Sequence, residues 1–102
     1  NDTIQFYVDK NIELNTISLK KNKAVLISNE FFKQPSEVVF RSFSSIIKSV
    51  SRKYYETRGR KVSNFLDSIN YSEKSLKATI GGCIVEKLGQ SVLIYRENTY
   101  KN

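Results

Sequence analysis

Arginine, lysine and tyrosine side chains are concentrated in one part of this chain, residues 41–61. This stretch holds seven basic residues and one acid, Glu56, and so carries six of the seven net positive charges of the 102-residue chain. Guanidinium and ammonium groups contact phosphates, and a tyrosine ring can stack on an unpaired base. We therefore interpret the stretch as a candidate binding surface for a polyanion, most simply a nucleic acid. The candidate binding residues are Arg41, Lys48, Arg52, Lys53, Tyr54, Tyr55, Arg58, Arg60 and Lys61.

The same charges leave two other interpretations open. Arg41 and Lys48 could form an ordinary solvated helix face, with one of the tyrosines packed in the core. Alternatively, the basic surface could dock an acidic protein domain. Binding of a polyanion is favoured because a helix face and the loop after it carry the same sign of charge. We expect this helix face and this loop to meet at the end of the helix.

Catalytic chemistry is not indicated by the composition of the chain. There is no histidine, which removes Ser-His-Asp and Cys-His sets and the commonest general base at neutral pH. There is no G-x-x-x-x-G-K-[ST] phosphate loop, and one cysteine without histidine leaves too few ligands for a zinc site. Cys83 has no partner for a disulfide within the chain, which favours a reducing, cytosolic setting and a buried structural thiol. We predict no catalytic residue, metal or cofactor within these residues.

Length and composition indicate one small globular domain over residues 1–102. A hydrophobic content of 39% argues against disorder, and no apolar run approaches the ~20 residues that cross a membrane. The sequence begins at Asn1 and contains no methionine. We therefore expect it to be a fragment of a longer protein.

Three helices are predicted from the spacing of apolar residues. The first covers residues 2–15, where isoleucine or valine recurs every four positions. The second and longest begins at Pro35 and ends near Ser51, and the third covers residues 60–69. In the second helix, Arg41, Lys48 and Arg52 are expected on the face opposite the apolar stripe. The stripe consists of Val39, Phe40, Phe43, Ile46, Ile47 and Val50.

Two short strands are predicted between the first two helices. Residues 17–19 and 24–27 are apolar or alternating, and a polar turn separates them. Asn22 is the turn residue best able to adopt a left-handed conformation. Ser28 is a candidate N-cap for a short helical turn that follows.

The end of the chain is predicted to form a β-hairpin over residues 79–96. Its turn lies at residues 88–91, where Gly89 can adopt a positive φ. Gly81 and Gly82 fall inside the first strand of this hairpin, where glycine is typical of a bulge or a close backbone approach. The predicted fold is therefore α+β, with two main helices and an N-terminal helical segment packed against a C-terminal hairpin.

Several of these features occur together in a recognisable order. Arg58 is followed by a helix over residues 61–69, then by the segment Ala78-Thr79-Ile80-Gly81-Gly82-Cys83, and then by Ile94-Tyr95-Arg96-Glu97. This order resembles the region after the catalytic domain in bacterial tRNA(Ile)-lysidine synthetases, where a T-[IL]-G-G-C segment and an R-E pair recur. The resemblance covers residues 16–97.

The resemblance implies a parent enzyme that is an ATP-dependent ligase. Such an enzyme adenylates the wobble cytidine of an isoleucine tRNA and lets lysine attack it. ATP, with magnesium, would bind an N-terminal catalytic domain with an S-G-G-x-D-S loop, which is absent here. This chain would be a tRNA-binding module, inactive alone, with tRNA(Ile) and the catalytic domain of the same chain as partners in a bacterial cytoplasm. The parent could also form a homodimer.

The sequence departs from the family pattern in two places. These 102 residues do not include the second, larger C-terminal domain of the family pattern, and the loop before Arg58 reads Tyr54-Tyr55-Glu56-Thr57, where relatives tend to carry prolines. The residues of the motif are interpreted as maintaining the fold, with Arg96 and Glu97 paired with each other or with loop groups. An interdomain scaffold or a generic RNA-binding domain remains the alternative function. The motif residues are Thr79, Gly81, Gly82, Cys83, Arg96 and Glu97.

Overall fold

Three α-helices pack against a five-stranded antiparallel sheet, which confirms the predicted α+β class. The computed structural model describes residues 2–21, 23–51, 59–71 and 75–97. The helices are α1 (Asp2–Asn15), α2 (Ser36–Ser51) and α3 (Gly59–Tyr71), with a 3₁₀ helix at Asn29–Lys33. The strands are β1 (Thr16–Leu19), β2 (Ala24–Ile27), β3 (Lys77–Ile80), β4 (Cys83–Leu88) and β5 (Ser91–Arg96), in the spatial order β1-β2-β5-β4-β3.

The sheet is larger than the hairpin expected from the sequence. The predicted hairpin is present as β4 and β5, with Leu88 opposite Ser91 and Gly89 in the turn at a φ of 63°. The hairpin β1–β2 joins it because β2 pairs with β5, where Ala24 lies opposite Tyr95. An isolated hairpin is marginal in water. Because β2 pairs with β5, the two hairpins form one sheet, and the apolar side chains of β2 are buried on its covered face.

The two consecutive glycines form a turn, so the prediction of a bulge within one long strand is wrong. Ile80 pairs directly with Cys83, which leaves Gly81 and Gly82 as the two-residue loop between β3 and β4. Their φ values are 57° and 81°. A loop of two residues with positive φ matches the right-handed twist of the flanking strands, and glycine adopts this conformation without a steric penalty.

The loops at the start of the sheet differ from expectation in one detail. The side chain of Ser28 makes no capping hydrogen bond, and the 3₁₀ helix is closed by the backbone, where Phe31 N donates to Ser28 O at 3.1 Å. Asn22 lies outside the described residues. On its N-terminal side, Lys20 and Lys21 adopt positive φ values of 47° and 54°.

The predicted apolar stripe of α2 forms the centre of the core, which lies between the helices and the sheet. Phe43 and Ile47 are completely buried, and the Phe43 ring stacks on Phe65 of α3 at 5.7 Å between centroids. Pro35 directly precedes the helix, and its carbonyl accepts a hydrogen bond from Val39 N at 3.0 Å. Burial of a phenylalanine contributes about 1.5–3 kcal/mol, so this layer fixes the orientation of α3 on α2.

A buried polar contact that no sequence pattern indicated ties α1 to α2. Asn11 is almost fully buried, and its amide donates to Ser42 Oγ and to Phe31 O, both at 3.3 Å. Ser42 in turn donates to Val38 O at 2.6 Å. Because a buried amide must find partners, this contact fixes where α1 sits along α2.

Among the described residues, no helix is long and apolar enough to cross a bilayer.

Candidate nucleic-acid interface

Four of the nine predicted binding residues lie in the described part of the chain, and all four are exposed. Arg41 and Lys48 lie on the outer face of α2, and Arg60 and Lys61 lie in the first turn of α3. The other five lie outside the described residues: Arg52, Lys53, Tyr54, Tyr55 and Arg58. The described part of the surface consists of the outer face of α2 and the first turn of α3.

Arg41 differs from the other three because its charge is compensated. Its Nη2 lies 2.9 Å from Glu37 Oε1, and both side chains are at least half exposed. Such a surface pair one helical turn apart contributes about 0.3–0.5 kcal/mol. Within the described residues, Lys48, Arg60 and Lys61 make no ion pair with an acid. Of the four described candidate residues, these three are therefore the ones whose charge is available to an external anion.

The first turn of α3 lies beside the first half of α2, not at its end. A Cβ atom built on Gly59 would come within 3.3 Å of Phe40 Cζ, so the start of α3 packs against the Phe40 ring. Ser51 lies about 16 Å beyond Phe40 along the axis of α2, because an α-helix rises about 1.5 Å per residue. Residues 52–58 lie outside the described part of the chain, so the expectation that the helix face and the loop charges meet at one helix end stays a prediction. The cations extend along the length of α2.

Two residues of the G-G-C and R-E motif hold the C-terminal turn of α2. Arg96 Nε donates to Val50 O at 2.7 Å, and the Cys83 thiol donates to Ile47 O at 3.6 Å. Cys83 and Arg96 are directly opposite each other on β4 and β5, so both side chains project from the same face of the sheet. The last carbonyls of a helix lack partners within it, and a cation there also favours the negative end of the helix dipole.

Arg96 therefore pairs with a helix carbonyl, whereas a pair with Glu97 or a loop group was expected. Glu97 is exposed in the turn after β5, and no ion pair joins it to Arg96 in the described part of the chain. The sequence contains Arg96, but it could not show that the partner lies 46 residues away. The consequence is that the residues directly before segment 52–58 are fixed by the sheet.

Cys83 is completely buried beneath this contact. Burial raises the pKa of its thiol from 9.0 to about 11, and the positive charge of Arg96 offsets part of the increase. The thiol is therefore protonated at neutral pH and has little nucleophilic character. Its role in the structure is to fill a small site and to donate weakly to α2.

A groove of about 410 Å³ lies between α2, α3 and the 3₁₀ helix. Phe32, Phe40 and Leu66 form its apolar walls, and Glu37 and Asp67 also line it. Two carboxylates repel phosphate, so the groove is not part of an anion-binding surface.

Among the described residues, no group of three or more cysteine, histidine or acidic side chains could hold a metal ion.

Comparison with known proteins gives two similar curated sequences. One is a "tRNA(Ile)-lysidine synthase" of Wolbachia sp. subsp. Brugia malayi (strain TRS), 30% identical over 71 residues, which is 70% of this chain and 16% of that protein. The other is a "tRNA(Ile)-lysidine synthase" of Wolbachia pipientis wMel, 27% identical over a stretch of the same length. The chain thus spans about a sixth of the length of the curated relatives it matches. No family model matches the chain. No solved structure gives a significant match.

These similarities support the resemblance to tRNA(Ile)-lysidine synthetases that the motif order indicated. They also support a connection of the chain with tRNA modification.

Proposed function

We propose that this chain is the tRNA-binding module of a tRNA(Ile)-lysidine synthetase. The observation that carries the proposal is the similarity over 71 residues to proteins of that name. In this proposal the whole enzyme attaches lysine to the wobble cytidine of an isoleucine tRNA in an ATP-dependent reaction. ATP and magnesium bind the catalytic domain, because the 102 residues contain no glycine-rich phosphate loop. The module contributes affinity for the tRNA and no chemistry of its own.

The electrostatics of α2 and α3 support this role. Lys48, Arg60 and Lys61 are exposed, and the buried faces of their helices are locked by packing such as that of Phe43 on Phe65. Cations held on a rigid helical surface can contact successive phosphates without a large ordering cost. Each such contact contributes about −0.7 to −0.9 to the slope of log K against log salt concentration.

A charge-reversal experiment tests the proposal. The double variant Arg58→Glu with Arg60→Glu, made in the full-length protein, should bind a transcript of an isoleucine tRNA more weakly and with a shallower salt slope. The matched control is Lys33→Glu with Lys77→Glu, two exposed lysines of the 3₁₀ helix and of β3. Unchanged tRNA affinity and salt slope in the first variant would reject the role in tRNA binding.

A second candidate function is that of an interdomain scaffold. It is favoured by four large apolar side chains that are 54–72% exposed, namely Phe6, Tyr7, Leu14 and Ile17. Exposed apolar residues close together are typical of protein contacts. Chemical crosslinking of Lys53 and Lys61 in the full-length protein distinguishes the two functions. Protection of these lysines by tRNA supports RNA binding, whereas crosslinks to the catalytic domain that persist with tRNA bound support the scaffold.

A further inference from the structure

A second group of cations lies in the turn between β1 and β2. Lys20, Lys21 and Lys23 are all exposed, and we refer to them as the lysine turn. The sequence pattern indicated only a polar connection here. These lysines belong to the part of the sequence outside residues 41–61, which is close to neutral overall. Their significance therefore depends on where the fold places them.

The lysine turn is joined through Arg96 to the C-terminal end of α2. The backbone N–H of Arg96 donates to Lys23 O at 3.3 Å, and its side-chain Nε donates to Val50 O at 2.7 Å. One residue of β5 thus contacts both the turn and the last turn of the helix. Segment 52–58 begins two residues after Val50 and holds three of the seven basic residues of the predicted surface, namely Arg52, Lys53 and Arg58.

The backbone of the turn is strained in a way that its residue types do not relieve. Lys20 and Lys21 have φ values of 47° and 54°. A residue other than glycine, asparagine or aspartate costs roughly 1–2 kcal/mol in this left-handed region. Asparagine or glycine at these positions would form the same turn at lower cost. Lysine at these positions therefore makes the folded protein less stable than asparagine or glycine would. Residues with a strained backbone of this kind are concentrated at functional sites.

The charge around this end of the sheet is predominantly positive. Lys48 lies in the last turn of α2, and Arg96 lies at the end of β5. Glu97, which follows Arg96, is the neighbouring acid along the chain. The opposite end of the sheet is formed by the β4–β5 turn, where Lys33 and Gly89 border a common groove. The lysine turn and the end of α2 therefore share one end of the molecule.

We infer that the lysine turn is a second phosphate-contacting element of the same tRNA-binding surface. The inference rests on the proposed function, because it takes tRNA as the polyanion. Lys20, Lys21 and Lys23 contact the phosphate backbone beside the C-terminal end of α2, and Lys48 in the last turn of that helix contacts it next to them. Arg96 is a positioning residue between them.

The test removes charge from the turn while preserving its backbone. In the full-length protein, Lys20→Asn with Lys21→Asn replaces both left-handed lysines with a residue that tolerates this conformation. Loss of two phosphate contacts should reduce the salt slope for a tRNA transcript by about 1.4–1.8. A fourfold increase in salt should then weaken the unmodified protein about tenfold more than the variant. Thermal stability should be retained or increased.

The control removes two charges at the other end of the sheet. Lys33→Gln with Lys77→Gln should leave the salt slope within error of that of the unmodified protein. If the lysine-turn variant matches this control while Arg58→Glu with Arg60→Glu weakens binding, the inference is wrong and the proposed function stands. If neither the turn variant nor the Arg58 and Arg60 variant changes the slope, both fail. A reduced slope in both variants, with the control unchanged, supports the inference.

Discussion

Arg96 Nε lies 2.7 Å from Val50 O, so the last strand of the sheet holds the last turn of the longest helix. The bond is charge-assisted, and it occupies a carbonyl that no residue of the helix itself can reach. The same strand forms backbone hydrogen bonds with β2 and β4 on its two sides. Together with the Cys83 thiol, which donates to Ile47 O, the Arg96 side chain holds the end of α2 against the sheet.

Replacement of Arg96 by methionine should lower the free energy of unfolding by about 1.5–3 kcal/mol, the cost of losing a hydrogen bond to a charged group. Methionine retains much of the apolar length of the side chain but cannot donate. Urea unfolding measures the change. Arg41→Met is the control, because its exposed pair with Glu37 should contribute less than about 1 kcal/mol. Equal losses in the two variants would contradict a specific role of the Val50 contact.

Cys83 should make stability depend on pH in alkaline solution. Its pKa is about 11 in the folded protein and 9.0 without burial, so the unfolded chain releases this proton first. The stabilisation is fully present below pH 9 and is lost as pH rises from 9 to about 11. Urea unfolding across this range should give a smaller dependence on pH for Cys83→Ala than for the unmodified protein. Parallel profiles for the two proteins would show that the thiol does not contribute.

Gly82→Ala should destabilise the protein by about 1–2 kcal/mol without any steric clash. A Cβ atom at this position would meet nothing within 4 Å, but its φ of 81° lies in the region that L-residues avoid. Gly82→Asn should cost less, because asparagine tolerates this conformation in turns. Thermal unfolding of both variants gives the comparison. A larger loss for asparagine than for alanine would contradict backbone strain as the cause.

Asn11→Ala should cost about 1–3 kcal/mol because it leaves buried partners on α2 and the 3₁₀ helix unsatisfied. Asn15→Ala is a matched control on the same helix, since Asn15 donates to Asn11 Oδ1 at 2.9 Å but is only partly buried. Its cost should be smaller, and urea unfolding measures both. A larger effect for Asn15 would show that the Asn11 contacts to Phe31 and Ser42 do not tie the elements together.

The helices were predictable because their signals are local. Pro35 and the apolar spacing that includes Phe43 and Ile47 define α2 without information from elsewhere in the chain. The role of Gly81 and Gly82 was misassigned because a bulge and a two-residue turn have the same local composition. Only the pairing of Ile80 with Cys83 separates them. Asn11 was missed for a different reason, since a polar residue on a helix is typical of a solvated face unless a partner element covers it.

The candidate site was predictable in composition but not in extent. The charge of residues 41–61 is visible in the sequence, and so is the order of Thr79, Cys83 and Arg96 that carries the resemblance. The approach of the lysine turn to the end of α2 depends on β2 pairing with β5. That pairing joins residues far apart in the chain, and no local pattern specifies it.

The strand order has a consequence for how the protein folds during synthesis. β5 is the last element of the sheet to be made, yet it lies at the centre and joins the hairpin β1–β2 to the hairpin β3–β4. Until it emerges, the edge of β2 that carries Val25 and Ile27 has no partner and is open to pairing with other chains. Distant pairing of this kind slows folding, because the chain must close a long loop before the contacts form. The nascent chain therefore depends on its final strand for protection from aggregation.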